Sequence, residues 1–478
     1  MRFPSGPKSG PAAVFFLALA LRALIAWFSN GRVAAAMDGT FYDIVARRIA
    51  LGQGYTWQWP DGAVTYAAHY PVGYPALLGG AYALFGPSLW IGFLLNALVG
   101  ALCALCIYRL TLSLTAGLSS ERSRALAFLA GLIVAILPTL LFYTPALMTE
   151  GLVTLFILAS AVGVAEAKEA SQLDGRLGLR SIGVGLGLGL ATLVRPQSVL
   201  FAPVFGWLLG RRLAISRRIG LMALVSTVVL LTVSPWMARN CARMDRCVLV
   251  SANGGWNLLI GTFPEGEGGW AAVEGARVPS NCREVFAEAA KDACFGAAGR
   301  VRIAEAPWAW LRLVPQKLRV TFDYTGAASE YLSRAGALSE PGRLRLGGLE
   351  IITQRLLFGL ALVAVVRASR GRGGAFGNMP WAARLGAVLS GAGYLGLGAA
   401  YGHLGLWLAT RATARSRPPI SLAFLFWSLG LTALVHAVFF GAGRYTLPLL
   451  PLFAPLAALA FDKDPAQVLT SRGPAPDN

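Results

Sequence analysis

Apolar stretches long enough to cross a bilayer recur from one end of this 478-residue chain to the other, and about 20 such residues are what a helix needs to traverse hydrocarbon. The pattern reads as spans at 11–29, 88–112, 124–143, 147–165, 181–194, 198–210, 219–236, 348–367, 420–440 and 444–461, with 382–410 ambiguous. Hydrophobic residues make up 56% of the chain and charged ones 14%, too little polar surface to cover a soluble protein of this length. The expected fold is therefore an all-α polytopic membrane protein of about 10–13 transmembrane helices, with interfacial helices and a small α/β or mixed domain outside the membrane.

The net charge of +19 would suggest nucleic acid in a soluble protein. Here the basic residues fall in short clusters between apolar spans, as cytoplasmic loops do. Arg109, Arg122 and Arg124 flank one connection; Arg176 and Arg180 close a second; Arg211, Arg212, Arg217 and Arg218 fill a third; Arg367, Arg370 and Arg372 mark a fourth, and Arg411, Arg415 and Arg417 a fifth. With these five inside, residues 30–87 and 237–346 lie outside, and those two segments hold three and eleven of the 23 acidic residues. The stretch 382–410 must then cross twice or not at all, and a compressed hairpin around Tyr401–His403 is one solution. Arg2 and Lys8 precede the first apolar run, which Arg22 interrupts where a cleavage region would begin, so an uncleaved first helix is expected.

The chain divides into a transmembrane module over 1–236, whose first outside loop is 30–87, an outer domain over 237–346, further helices over 347–462 and a disordered cytoplasmic tail over 463–478. Thr40–Leu51 carries apolar residues at helical spacing and is expected to lie flat at the interface, as is Pro75–Phe85. Gly183, Gly185, Gly187 and Gly189 recur in an apolar span, where close helix packing explains them better than a phosphate cradle.

Few polar residues remain to carry chemistry, and they gather at the outer ends of the spans. Asp38 follows directly on the first helix; a carboxylate there suits a general base, although an Asp before a helical run is also a favoured N-cap. Glu150 opens another span, where a carboxylate is costly unless paired. Arg195, Arg239, Lys317 and Arg444 all fall on the same outer face and would suit a phosphate, each with the alternative of a snorkelling anchor. His69, in a rigid Pro-rich turn, either binds phosphate or holds that turn. No metal motif is present, although a divalent cation, which favours oxygen ligands, is left open as a cofactor. Cys103 and Cys106 lie in an apolar span as packed small side chains.

These residues resemble the bacterial polytopic glycosyltransferases of GT-C fold, which include protein O-mannosyltransferases, the lipid A aminoarabinose transferases and the rhizobial core transferases. The resemblance rests on the order Asp38, Tyr42, Ala46, Gly52, Gly54-Tyr55, then Pro71-Val72-Gly73-Tyr74-Pro75, Leu84-Phe85-Gly86 and Asn96. It continues through Glu150, Arg195-Pro196, Pro235-Trp236 with Arg239-Asn240, Asn253-Gly254-Gly255 with Asn257-Leu258, Lys317 after Pro307, and Arg444-Tyr445 with Pro448. It implies an inverting transfer from a polyprenyl-phosphate sugar to an extracytoplasmic acceptor (lipid, glycan or protein) at a bacterial inner membrane, with the active site on the periplasmic face.

Carried over by residue, the resemblance makes Asp38 the base and Glu150 its acidic neighbour, and assigns the donor phosphate to Arg195, Arg239, Lys317 and Arg444. Gly39 stands where many relatives have a second acid, which puts a metal requirement in question. Cys241–Cys247 and Cys282–Cys294 disulfides are expected in the outer segment. The rival readings are a flippase, which would want inverted repeats and helices broken at mid-membrane, and a polysaccharide polymerase or ligase. The latter would lean on outer-loop Arg and His, and 237–346 contains no histidine.

Overall fold

Lipid offers no partner to a backbone N–H or C=O, so spanning segments close their hydrogen bonds within helices, and helices dominate this chain. The computed structural model describes residues 9–167, 175–323, 326–370, 379–413 and 420–469. It opens with α1 (Ser9–Ser29) and the loop expected outside, in which α2 (Asp38–Ala50) and α3 (Gly73–Phe85) flank an antiparallel hairpin of β1 (Thr56–Gln58) and β2 (Val64–Tyr66), with Trp57 opposite Thr65. Then come α4 (Leu89–Leu114), α5 (Ser120–Ile136), one-turn α6 (Pro138–Phe142), α7 (Glu150–Glu166), α8 (Gly175–Val194), a 3-10 turn over Pro196–Leu200, α9 (Phe201–Leu209) and α10 (Ile215–Arg243). The segment 237–346, the expected outer segment, holds α11 (Gly254–Ile260), α12 (Glu288–Glu305), α13 (Pro307–Phe322) and α14 (Ala327–Arg334). The chain finishes with α15 (Glu340–Ser369), α16 (Trp381–Ala392), α17 (Ala399–Thr413), α18 (Ile420–Val438), α19 (Leu450–Leu459) and α20 (Ala466–Leu469).

Five of the described helices (α1, α4, α8, α10 and α15) are long and apolar enough to cross a membrane, and shorter apolar helices fill the rest of the bundle. α4 packs on α1, α5 and α7, while α7, α8 and α10 pack in sequence. α19 is buried at every residue and sits against α5 and α15. Of the four glycines singled out in α8, three are packing residues as expected: a Cβ on Gly185 would meet Val228 at 2.6 Å, one on Gly189 would meet Thr232 at 2.5 Å and one on Gly187 would run into Ser160, whereas one on Gly183 would meet nothing within 4 Å. The arginine-rich connections gather at one end, where Arg122 pairs with Asp462 at 2.6 Å, Arg109 with Glu166 at 2.5 Å, and Arg367 donates to the Ala460 and Lys463 carbonyls. Arg372, Arg415 and Arg417 lie outside the described residues.

Three expectations are corrected. The ambiguous stretch 382–410 is a pair of packed helices, α16 and α17, and its turn falls at Gly398 rather than around Tyr401–His403. Gly398 has φ +119°, a conformation that side chains rarely adopt, and that sets where the chain reverses. The outer segment is not α/β or mixed: among its described residues it holds α-helices and 3-10 turns, and the β-hairpin belongs to the first outer loop. The tail is not disordered from 463, because α20 buries Val468 and Leu469 and Gln467 accepts from Arg122 at 3.1 Å; residues 470–478 lie outside the described residues.

The outer segment contains both expected disulfides, Cys241–Cys247 and Cys282–Cys294. It has a small core around Leu259, Ile260, Phe263 and Phe295, which Phe440 from beyond α18 joins. Its last helix joins the main bundle instead. The buried Glu350 carboxylate of α15 accepts from the Ala328 and Ser329 amides, satisfying the free N–H groups at the start of α14. The Tyr331 hydroxyl of α14 accepts from the amides of Ala36 and Leu147.

Candidate active site

Asp38 begins α2, directly after Met37, whose φ of 54° is uncommon for a residue with a side chain. The sequence left cap and catalyst open, and the helix start shows no side-chain cap hydrogen bond. The Asp38 carboxylate instead accepts from the Tyr70 hydroxyl at 3.0 Å and pairs with Arg444 at 2.8 Å. Arg444 comes from the 3-10 turn Gly443–Thr446 that links α18 to α19. Its Nε also lies 3.8 Å from Glu150, the first residue of α7. Glu150 is 1% exposed, accepts from Arg195 at 2.5 Å and from the Tyr143 hydroxyl at 3.3 Å, and benefits from the positive end of its own helix. Arg195, between α8 and the 3-10 turn after it, completes the row by donating from Nε to Thr149 at 2.9 Å. The result is an alternating ladder, Tyr70–Asp38–Arg444–Glu150–Arg195–Thr149, with two cations and two carboxylates.

The ladder borders a cavity of about 510 Å³ lined by Asp38, His69, Tyr70, Arg195, Trp256 and Arg444 among others. Burial and the adjacent Asp38 charge both raise the Tyr70 phenol, so its proton stays on and is donated to the carboxylate. Burial opposes the charge on Arg444, and the carboxylates of Asp38 and Glu150 more than offset it. Burial pushes the His69 imidazole below its ordinary value, against the pull of Asp38. The His69 ring sits edge-on to Tyr70 and Trp256. Two outer-segment acids fix this wall: Glu288 accepts from the Ala68 amide at 2.6 Å, and Asp292 accepts from the Trp256 amide at 2.9 Å.

Two of the four cations singled out from the sequence are elsewhere. Arg239 donates to the carbonyls of Ala67 at 2.9 Å and Tyr55 at 2.7 Å and stacks over Trp236, fastening the first outer loop to α10. Lys317 is 1% exposed and donates to the Ala437 and Val438 carbonyls at 3.2 Å, closing the end of α18. Neither lines the cavity.

The structure also adds residues that the sequence reading passed over. Tyr70, Tyr143 and Thr149 hold the ladder, and each is a neighbour or near neighbour of a residue already singled out. Arg22 is buried inside α1 and donates to the carbonyls of Val134 and Ala135. Pro138 has no N–H for Val134, so Arg22 supplies the missing donor where α5 breaks.

The donor set does not fit a divalent cation. Arg444 already bridges Asp38 and Glu150, and a side chain at position 39 has no room, since a Cβ there would meet the Tyr331 hydroxyl at 2.8 Å and the Leu147 carbonyl at 3.0 Å. Among the described residues, no three His, Cys, Asp or Glu side chains gather as metal ligands would.

Residues 69–238 match the family described as dolichyl-phosphate-mannose-protein mannosyltransferase. A comparison with curated proteins finds no match. Among solved structures, the chain is similar to the Archaeoglobus fulgidus oligosaccharyltransferase AglB in complex with an inhibitory peptide and a dolichol-phosphate, at 15% identity and a TM-score of 0.44, over 98% of this chain and 56% of that one. It is also similar to ArnT from Cupriavidus metallidurans bound to undecaprenyl phosphate, at 15% identity and a TM-score of 0.38, over 95% of this chain and 76% of that one. The chain thus spans about half the length of the archaeal oligosaccharyltransferases. The family match over residues 69–238 overlaps the first part of the motif order that resembles the polytopic glycosyltransferases of GT-C fold.

Proposed function

We propose that this protein is an inverting glycosyltransferase that moves a hexosyl or pentosyl group from a polyprenyl-phosphate donor to an acceptor at the periplasmic face of a bacterial inner membrane. The observation that carries this reading is the ladder itself: two arginines and an interfacial carboxylate, converging on one cavity. The family match over residues 69–238 supports the same chemistry.

In this reading the donor's lipid tail stays among the apolar helices and its phosphate meets Arg444 and Arg195. Asp38 takes the proton from the acceptor hydroxyl or amine as that atom bonds to the anomeric carbon. The carbon–oxygen bond to phosphate breaks on the opposite face, and the oxygen leaves with the electron pair. One displacement inverts the anomeric centre. Negative charge grows on the leaving phosphate, and arginines already fixed in place stabilise it without reorganising. The Glu150 carboxylate holds both arginines in position, and the outer segment, through Trp256, forms the wall against which an acceptor would rest.

The test is transfer in detergent from radiolabelled polyprenyl-phosphate sugars to a membrane extract, wild type beside Asp38→Asn. Loss of a general base should lower the rate about 10²–10⁴-fold while donor binding persists. A variant that transfers at the wild-type rate would remove Asp38 from catalysis. A wild type that binds donor and transfers nothing would favour the flippase.

A further inference from the structure

The cavity beside the ladder is also lined by polar, uncharged groups that the proposed reaction does not use. Gln197, Trp256, Asn257 and Trp270 border it together with Asp38. Among the described residues, the side-chain amides of Gln197 and Asn257 and the indole N–H groups of Trp256 and Trp270 have no hydrogen-bond partner in the protein. Trp270 is 66% exposed and touches no other ring, unlike a packing tryptophan. Its backbone is nonetheless fixed by close approaches just before it. A Cβ on Gly261 would meet the Phe439 carbonyl oxygen at 2.8 Å, and one on Gly268 would run into the Lys317 amide. The Gly268 carbonyl accepts from the Gly441 amide at 2.7 Å, which ties this stretch to the turn that carries Arg444. An exposed indole on a clamped backbone loses little freedom when a ligand covers it.

The charges of the cavity say which acceptor would suit it. Its lining cations are Arg195 and Arg444, each paired with a carboxylate, and a donor phosphate would claim at least one. An acceptor bearing its own phosphates would find no further cation there. No residue of the β1–β2 hairpin lines the cavity, so no strand edge is offered to an extended peptide. A sugar ring matches what is present: its C–H face packs on an aromatic ring, and its hydroxyls both give and take hydrogen bonds, as side-chain amides do. We infer that the acceptor is an uncharged glycan, with Trp256 and Trp270 as its platforms, Gln197 and Asn257 for its hydroxyls, and one hydroxyl presented to Asp38. Calling this glycan the acceptor rests on the glycosyltransferase reading; the sugar site itself does not.

The experiment is ligand-observed saturation-transfer NMR on the full chain in detergent, which reads weak binding and needs no transfer. The probes are a panel of neutral hexose and N-acetylhexosamine trisaccharides, a bisphosphorylated disaccharide, and a peptide rich in serine and threonine. At least one neutral trisaccharide should bind wild type better than the other two probes do. Trp270→Ala should weaken it at least about fivefold, the loss expected of an aromatic anchor, while Trp270→Phe keeps the aromatic face and most of the binding. Polyprenyl phosphate should bind all three proteins alike, which shows that the variants are folded, and it should not displace the trisaccharide. Tighter binding of the phosphorylated sugar or the peptide, or no binding by any neutral trisaccharide, would overturn the inference. Equal trisaccharide binding by Trp270→Ala would reduce Trp270 to an interfacial anchor of the kind found at headgroup level and would overturn it too. Displacement by polyprenyl phosphate would put the sugar in the donor's place and refute the acceptor assignment. Trisaccharide binding as expected in a protein that never transfers sugar would sink the proposed function and leave the glycan site standing.

Discussion

Glu150→Gln separates the two carboxylates of the ladder by what each does for the fold. Glu150 is 1% exposed, with Arg195 at 2.5 Å and Arg444 at 3.8 Å. With an effective dielectric of about 20, those separations correspond to gross attractions of about 6–7 and about 4 kcal/mol, set against desolvation of several kcal/mol per ion. Removing one member of a buried pair costs about 3–5 kcal/mol, because its partner is left buried and uncompensated. The Asp38 side chain is 24% exposed and that of its partner Arg444 is 19% exposed, so solvent screens the pair and its loss should cost about 1 kcal/mol or less. The expectation is a glutamine variant less stable than Asp38→Asn by about 2–4 kcal/mol, a difference between these two cited costs, read as chemical unfolding in detergent. Because the change leaves two arginines facing one carboxylate, folded Glu150→Gln should bind polyprenyl phosphate at least as tightly as wild type. Equal stability of the two variants would refute the buried bridge. A stable Glu150→Gln protein that no longer binds donor would mean that Glu150 acts on the donor and does more than hold the arginines.

Arg22→Leu removes the donors to the Val134 and Ala135 carbonyls at the break before Pro138; it should cost about 1–3 kcal/mol for each acceptor left bare, measured by the same unfolding assay, and wild-type stability would show that the break needs no such donor. His69 gives a pH signature. Burial lowers its pKa from an ordinary 6.5, so the folded state favours the neutral ring, and the stability this lends is complete above about pH 6.5 and lost as pH falls through the lowered folded value. Melting temperature from pH 8 to pH 5 should therefore drop more steeply for wild type than for His69→Asn, and parallel curves would contradict the assignment.

Most of the helices were legible in the sequence because burial in lipid writes long apolar runs with arginines at one set of ends. Apolar spacing likewise marked a helix over Thr40–Leu51, observed as Asp38–Ala50. What the sequence could not supply was direction. Arg239 and Arg444 are both arginines at the outer ends of spans, yet one bonds carbonyls of the first loop and the other reaches Asp38. Which way a long side chain turns depends on acceptors far along the chain, and Arg239 finds its own 172 and 184 residues away. The same distance hid the reason for Gly39: the space for a second acid is taken by Tyr331, a residue of the outer segment that no local pattern connects to α2. The turn in 382–410 was missed by a few residues because apolar periodicity runs straight through it and only the backbone angle of Gly398 marks the reversal.

The balance of the ladder bears on how the proposed reaction would be timed. Two arginines and two carboxylates leave no formal excess of charge, so a donor phosphate competes with the carboxylates for the arginines. Glu150 is the harder to displace, since it is buried between both cations. Asp38 is held by one arginine and one phenol and is partly open to the cavity. In the proposed reading the phosphate therefore takes Arg444 from Asp38, and the freed carboxylate becomes a stronger proton acceptor only once a donor is in place. The neutral Asp38→Asn side chain offers the phosphate less competition, so that variant should bind polyprenyl phosphate several-fold more tightly than wild type while failing to transfer. Weaker binding in the variant would mean that Asp38 and the phosphate do not compete for Arg444, and the ladder would then be a structural brace beside the reaction.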